Sequence, residues 1–194
     1  IYINNVFMEN LITKYNDSLK QALDNFPNEQ VKKLAEELNI AWKNKNSIFL
    51  CGNGGSAGNA IHLANDFLFG AGRNYGVGLN VEALSSNPAV LTCLANDIGY
   101  ENIYSEQLRV KGKKGDILIV LSGSGNSKNI INAIKVANEL GVKSFAILGF
   151  SGGECKKIAN YPIHFSVNDM QISEDLQLIV GHMCMKWLCK QDSK

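Results

Sequence analysis

Apolar residues recur at helical spacing through the first 45 positions, at Ile3, Val6, Phe7, Leu11, Ile12, Tyr15, Leu19 and Leu23. Pro27 interrupts the run, and Val31, Leu34, Ala35 and Leu38 begin a second helix. The period then changes. Short apolar runs rich in branched residues fall at 47–51, 78–84, 116–121, 143–148 and 162–166, the pattern of strands buried on both faces. Helices are predicted between and after them, at 56–69, 88–95, 101–111, 127–140, 153–160 and 172–190. Pro88 suits a first helical turn and Gly141 a helix stop. This alternation predicts the α/β class: one doubly wound, mostly parallel five-stranded sheet flanked by helices over 46–194, preceded by a helical hairpin at 1–45. The amphipathic first helix suits self-association and packing on its own domain about equally.

Composition narrows the function classes. The 194 residues are 45% hydrophobic and 19% charged, an ordinary globular profile. Nineteen basic and eighteen acidic residues leave a net charge of +1, so there is no electrostatic footprint for nucleic acid or a membrane surface. No apolar run approaches the ~20 residues of a membrane-spanning helix. No basic segment leads into an apolar stretch at the start, so the expectation is a cytoplasmic protein. Cys51, Cys93, Cys155, Cys184 and Cys189 form no C-x-x-C pair. They read as thiols of a reducing compartment rather than a disulfide framework, with Cys51 and Cys93 in apolar, buried contexts.

Two loops carry the chemistry. Cys51-Gly52-Asn53-Gly54-Gly55-Ser56 follows the first apolar run, and Ser122-Gly123-Ser124-Gly125-Asn126-Ser127 follows the third. Each leads into a helix, whose start offers free N–H groups and a positive dipole end to an anion. Glycine lets the backbone approach the ligand, and serine adds neutral donors. Two such loops in one domain point to a phosphorylated small molecule. The second lacks the Gly-Lys-Ser/Thr of a nucleotide P-loop and does not read G-x-G-x-x-G.

His62 and Asp66 lie four apart on the helix after the first loop, hence on one face. An imidazole and a carboxylate so placed hold a divalent metal or move protons. Glu174, Asp175 and His182 lie on the last helix, whose 176–188 stretch is almost wholly apolar. His182 is then either a core histidine or a functional one, and the two acids either serve a site or complement the helix dipole. His164, in the last strand, reads as structural. Asn96-Asp97 is either a polar helix end or a pair for sugar hydroxyls. Residues 168–171 are either a loop or a ligand-facing segment.

Together, Gly52 to Ser56, His62, Ala95-Asn96-Asp97, Ser122 to Ser127 and the late Glu174…His182 resemble the sugar isomerase (SIS) domain, most closely its phosphoheptose isomerases. The resemblance covers nearly the whole chain. It implies an aldose–ketose isomerase acting on sedoheptulose 7-phosphate and yielding a manno-heptose 7-phosphate for heptose-containing surface polysaccharide. It implies a homotetramer with one zinc-type metal (Zn2+) per active site. It places the metal ligands at His62, Asp66, Glu174 and His182, and the substrate contacts at Asn53, Gly54, Gly55, Ser56, Asn96, Asp97, Ser122, Gly123, Ser124 and Ser127. Asp66 or Glu174 would be the base and His182 the acid. The chain departs from the family pattern with Asp66 for glutamate, Glu174 for glutamine and Gly123 for threonine. The family's Gly-Arg pair is out of register, with Arg73 the nearest arginine. Non-catalytic relatives, replication initiator-associating scaffolds or phosphosugar sensors, are the competing class; the scaffolds lack the acid–base pair that this chain keeps.

Overall fold

Five strands form one parallel sheet: β1 (Ser47–Gly52), β2 (Asn80–Ala83), β3 (Ile117–Ser122), β4 (Lys143–Leu148) and β5 (Tyr161–His164), in the order β2-β1-β3-β4-β5. The computed structural model describes residues 2–72 and 76–191, with side chains from residue 7 onward. The side chains of Ile3 and Val6, and Arg73, therefore lie outside the described residues. In register, Ile48 faces Val81 of β2 and Ile117 of β3, and Ile117 faces Lys143 of β4.

The apolar runs are continuous because both faces of the sheet are covered. Alternate strand residues point to opposite faces. Ile48, Leu50, Ile119, Leu121 and Ile147 pack with residues of α2 (Asn28–Lys43), α3 (Gly55–Asn65) and α8 (Met170–Leu188), including Leu34, Leu38, Leu63, Leu176 and Val180. Phe49, Cys51, Leu118, Val120 and Ala146 pack with residues of α5 (Ser105–Lys111), α6 (Lys128–Leu140) and α7 (Cys155–Ile158), including Leu108, Ile130, Ile134 and Cys155.

The sequence-based hairpin divides in its behaviour. α2 contributes Val31, Leu34, Ala35 and Leu38 to the core, so residue 45 marks no break in packing. α1 (Tyr2–Asp24) rests on that core through Tyr15, Leu19 and Ala22, while Phe7, Met8, Leu11 and Ile12 stay exposed. The helix expected over 101–111 is broken into a 3-10 turn (Tyr100–Asn102) and α5, because Ile103 and the Tyr104 ring turn into the core between them. The helix expected over 56–69 is α3 followed by a π-helical turn, Asp66–Gly70. α7 is only four residues long. α8 starts at Met170, two residues earlier than expected, because the Asp169 side chain caps the Ile172 N–H at 3.1 Å. α4 (Pro88–Ile98) is capped by Asn87 and buries no residue fully; Cys93, expected to be buried, is exposed on it. No described helix is long and apolar enough to cross a membrane.

The chain runs from β1 outward to β2, then returns to β3 and proceeds the other way. Strand order therefore reverses between β1 and β3. A crevice opens at the carboxyl ends of strands at such a switch point, and both glycine-serine loops lie there.

Candidate active site

The loop after β1 enters α3 through Gly54, whose φ of +56° with ψ of −124° lies outside the left-handed helical region that other residues occasionally enter. The loop after β3 enters α6 through Ser127. Neither Gly54 nor Ser127 caps its helix with a side chain, so first-turn N–H groups at both helix starts are left for a ligand. Between the loops lies a cavity of about 100 Å³ lined by Asn53, Ser56, Ser122, Gly123, Ser124 and Ser127, with Leu121, Met170 and Glu174. The serine loop is braced from within and behind. Ser122 Oγ accepts the Gly125 N–H at 3.1 Å, and Asn126 Oδ1 accepts the Glu154 N–H at 3.1 Å. Gly125 has φ +67°, and a Cβ there would fall 2.0 Å from the Gly152 carbonyl oxygen, so no larger residue fits.

The first loop is held to the second by paired amides. Asn53 Nδ2 donates to Asn129 Oδ1 at 2.9 Å, and Asn129 Nδ2 donates back to Asn53 Oδ1 at 2.8 Å. The Tyr104 hydroxyl donates to the Gly52 carbonyl, and burial pushes its pKa up, keeping it protonated as a donor.

Beside the cavity, α3 and α8 bring three ligating groups together. A Cβ on Gly181 would fall 2.2 Å from Leu63 Cδ2, so glycine there permits the close approach of the two helices. The next residue, His182, thereby meets His62, their Nε2 atoms 3.1 Å apart and the rings edge-to-face. Asp66 Oδ2 lies 3.5 Å from His62 Nε2 and 3.4 Å from His182 Nε2. Both histidines are half exposed, and Asp66 is largely covered.

These residues fit a divalent metal. Zinc ligands at about 2.0–2.1 Å in a tetrahedron stand about 3.3 Å from one another, and the observed spacings match that edge. Two imidazoles and one carboxylate form the set that catalytic zinc sites use, with a fourth position open. Among the described residues, no other group of three or more His, Cys, Asp or Glu is placed to hold a metal.

Glu174 is not brought into that group. It lies within α8, not ahead of it, and its carboxylate sits over Gly55, where a built Cβ would fall 2.4 Å from its oxygens. Its backbone carbonyl accepts from Asn59 Nδ2 at 3.0 Å. Asn59 also donates to Gln177, and the buried Gln177 donates to Ser56 Oγ, locking the start of α3 to α8. Asn96 and Asp97 are exposed on α4, bonded to each other at 2.7 Å, and do not line the cavity. His164 bonds the Phe150 carbonyl and Lys156, as a structural residue does. Of residues 168–171, Asp169 caps α8 and Met170 faces the cavity. Asp175 accepts the Tyr15 hydroxyl, fixing α1 to the start of α8.

Asn59, Tyr100, Tyr104, Asn129 and Gln177 were not singled out from sequence. Asn129 carried the one usable signal, an amide two residues past the serine loop at the start of a helix.

Residues 13–149 match the SIS domain family. The phosphoheptose isomerase of Clostridium acetobutylicum is 38% identical over 157 residues, 80% of this chain and 79% of the relative. That of Helicobacter pylori strain P12 is 33% identical over 169 residues, 87% of each. The solved phosphoheptose isomerase of Neisseria gonorrhoeae superposes with a TM-score of 0.85 at 27% identity, covering 94% of this chain and 98% of that one. With the loops at the switch point and the His62–Asp66–His182 cluster beside them, these likenesses place the chain in the SIS domain family, among its phosphoheptose isomerases.

Proposed function

We propose that the chain interconverts sedoheptulose 7-phosphate and D-glycero-D-manno-heptose 7-phosphate, in the cytoplasm, to supply heptose for surface polysaccharide. One observation supports this reading: α3 contributes Ser56 to the serine-lined cavity at the switch point and His62 to the cluster completed by Asp66 and His182. The phosphate belongs in the cavity, met by the hydroxyls of Ser124 and Ser127 and the N–H groups at the starts of α3 and α6. The sugar then extends toward the cluster.

Isomerisation removes a proton from C1, forms an enediol and returns a proton to C2, while a second proton moves between O1 and O2. Asp66 is shared between two histidines, whereas Glu174 is the carboxylate lining the cavity. Glu174 is therefore assigned the carbon-to-carbon transfer, while His182, whose Nε2 faces His62 and Asp66, serves as a ligand rather than a proton carrier. A zinc-type ion held by His62, Asp66 and His182 would polarise the substrate oxygens as a Lewis acid.

A homotetramer with sites at subunit boundaries is part of the proposal. The cavity of about 100 Å³ is well below the ~300 Å³ of ordinary small-molecule sites, so one chain leaves most of the sugar uncovered. Phe7, Leu11 and Ile12 on α1, and Met183 and Trp187 on α8, are exposed apolar side chains suited to a symmetric contact. A scaffold role would leave the acid–base and ligating groups without a task.

The test is incubation of the pure, metal-replete protein with C5 to C7 ketose phosphates, followed by NMR. Appearance of the manno-heptose phosphate supports the proposal; conversion of none of them overturns it.

A further inference from the structure

We propose that Asn129 and Tyr100 are positioning residues that fix the polarity of the Asn53 side-chain amide, so that Asn53 meets the substrate only as a hydrogen-bond donor. The inference rests on the sugar-phosphate reading of the cavity that Asn53 lines.

The argument begins with a backbone group whose direction is not open to choice. The Ile130 N–H is a donor shared between the Ser127 carbonyl at 3.1 Å and the Asn129 side-chain atom Oδ1 at 3.0 Å. That atom must be the amide oxygen. The Asn129 nitrogen then faces Asn53 at 2.8 Å, and the atom it meets must be the Asn53 oxygen. Tyr100, in the 3-10 turn after α4, donates its hydroxyl to the same oxygen at 3.0 Å. Two donors use both lone pairs of Asn53 Oδ1. On the nitrogen side, one N–H is spent on Asn129 Oδ1 at 2.9 Å. An amide nitrogen carries two N–H groups, so one is left.

Three chain segments thus converge on one side chain: the loop after β1, the start of α6 and the turn after α4. Asn129 is 2% exposed, so the clasp is shielded on that side, while Asn53 opens onto the cavity. The single free valence selects its ligand. It donates to an oxygen lone pair, as on a carbonyl or a developing enediolate, and offers nothing to a group that only donates. A donor fixed before the substrate arrives needs no reorientation as negative charge grows on the carbonyl oxygen during enolisation.

The experiment compares Asn53→Ala, Asn129→Ala, their double variant and Tyr100→Phe. It reads turnover of sedoheptulose 7-phosphate by NMR and competitive inhibition by inorganic phosphate. Tyr100 is 57% exposed, so loss of its hydroxyl leaves folding intact even if Asn129→Ala does not. Asn129→Ala should lower kcat about 10- to 100-fold, the scale of a misplaced catalytic group. Tyr100→Phe should lower it about 2- to 10-fold, the scale of one neutral hydrogen bond. Inhibition by phosphate should stay within about 2-fold in both, because the serine loop is braced separately. The double variant should be no worse than Asn53→Ala alone. Additive losses, phosphate inhibition weakening in step with kcat, or unchanged kcat in both Asn129→Ala and Tyr100→Phe would each overturn the proposal. A wild type without turnover overturns the isomerase reading instead. The same cycle is then read from calorimetric affinity for sedoheptulose 7-phosphate, where additivity, or no binding by wild type, overturns the clasp.

Discussion

The Nε2 atoms of His62 and His182 lie 3.1 Å apart across 120 residues of chain. When both rings are neutral, one nitrogen donates and the other accepts, and Asp66 Oδ2 within 3.5 Å of both adds negative charge at the same point. A cation between them satisfies all three groups at once. Protein purified without chelator should carry about one zinc-type ion per chain, as a complete set of two imidazoles and a carboxylate implies. His62→Ala should lose it. Equal metal by elemental analysis in wild type and variant removes the cluster as the metal site.

Ser127 ends the serine loop without capping α6, whereas Ser122 is committed to the Gly125 N–H. Ser127→Ala should therefore leave stability within about 0.5 kcal/mol while weakening phosphate binding by about 1–3 kcal/mol, seen as a raised KM. Ser122→Ala should instead lower the melting temperature. An unchanged KM in both Ser124→Ala and Ser127→Ala would reject this loop as the phosphate site.

Gly55 leaves room for the Glu174 carboxylate, which a Cβ would meet at 2.4 Å. The obstructed atoms are the end of a flexible side chain, so Gly55→Ala should cost little stability but move Glu174. If Glu174 transfers the proton between carbons, kcat should fall at least about 10-fold with the melting temperature nearly unchanged. Wild-type kcat in Gly55→Ala would contradict that assignment.

The hydrogen bond from Tyr15 to Asp175 raises the Tyr15 phenol from 10.0 to about 12. The unfolded chain loses this proton near pH 10 and the folded chain near 12, so the folded state binds more protons between them. The stabilisation is complete below pH 10 and is lost as pH rises toward 12. Tyr15→Phe should flatten the decline of thermal stability across that window. An identical decline in the variant would show that Tyr15 makes no such contribution.

Glu174 and His182 do not meet within one chain, which motivates a test of shared sites. Glu174→Ala and His182→Ala should each be inactive, and mixing them under subunit exchange should restore part of the activity. Exchange demonstrated by mass spectrometry without any recovery would place both residues in one subunit's own site.

Local patterning determined much of this protein. The apolar runs were legible as strands because a doubly covered sheet needs continuous branched residues, and the loops after β1 and β3 were legible as loops because clustered glycine and serine end each run before a helix begins. The separation of Glu174 from His182 was foreshadowed too, since eight helical residues put two backbones about 12 Å apart. Tertiary packing decided the rest. Through the close approach of α8 to α3 at Gly181 and Leu63, a contact between segments far apart in the chain, His182 meets His62 and Asp66 instead of entering the core. Asn129 looks like any polar residue at a helix start until the switch point brings it opposite Asn53. The pattern of a segment reports its own period and burial, whereas the partner of a side chain depends on how separate segments fold against one another.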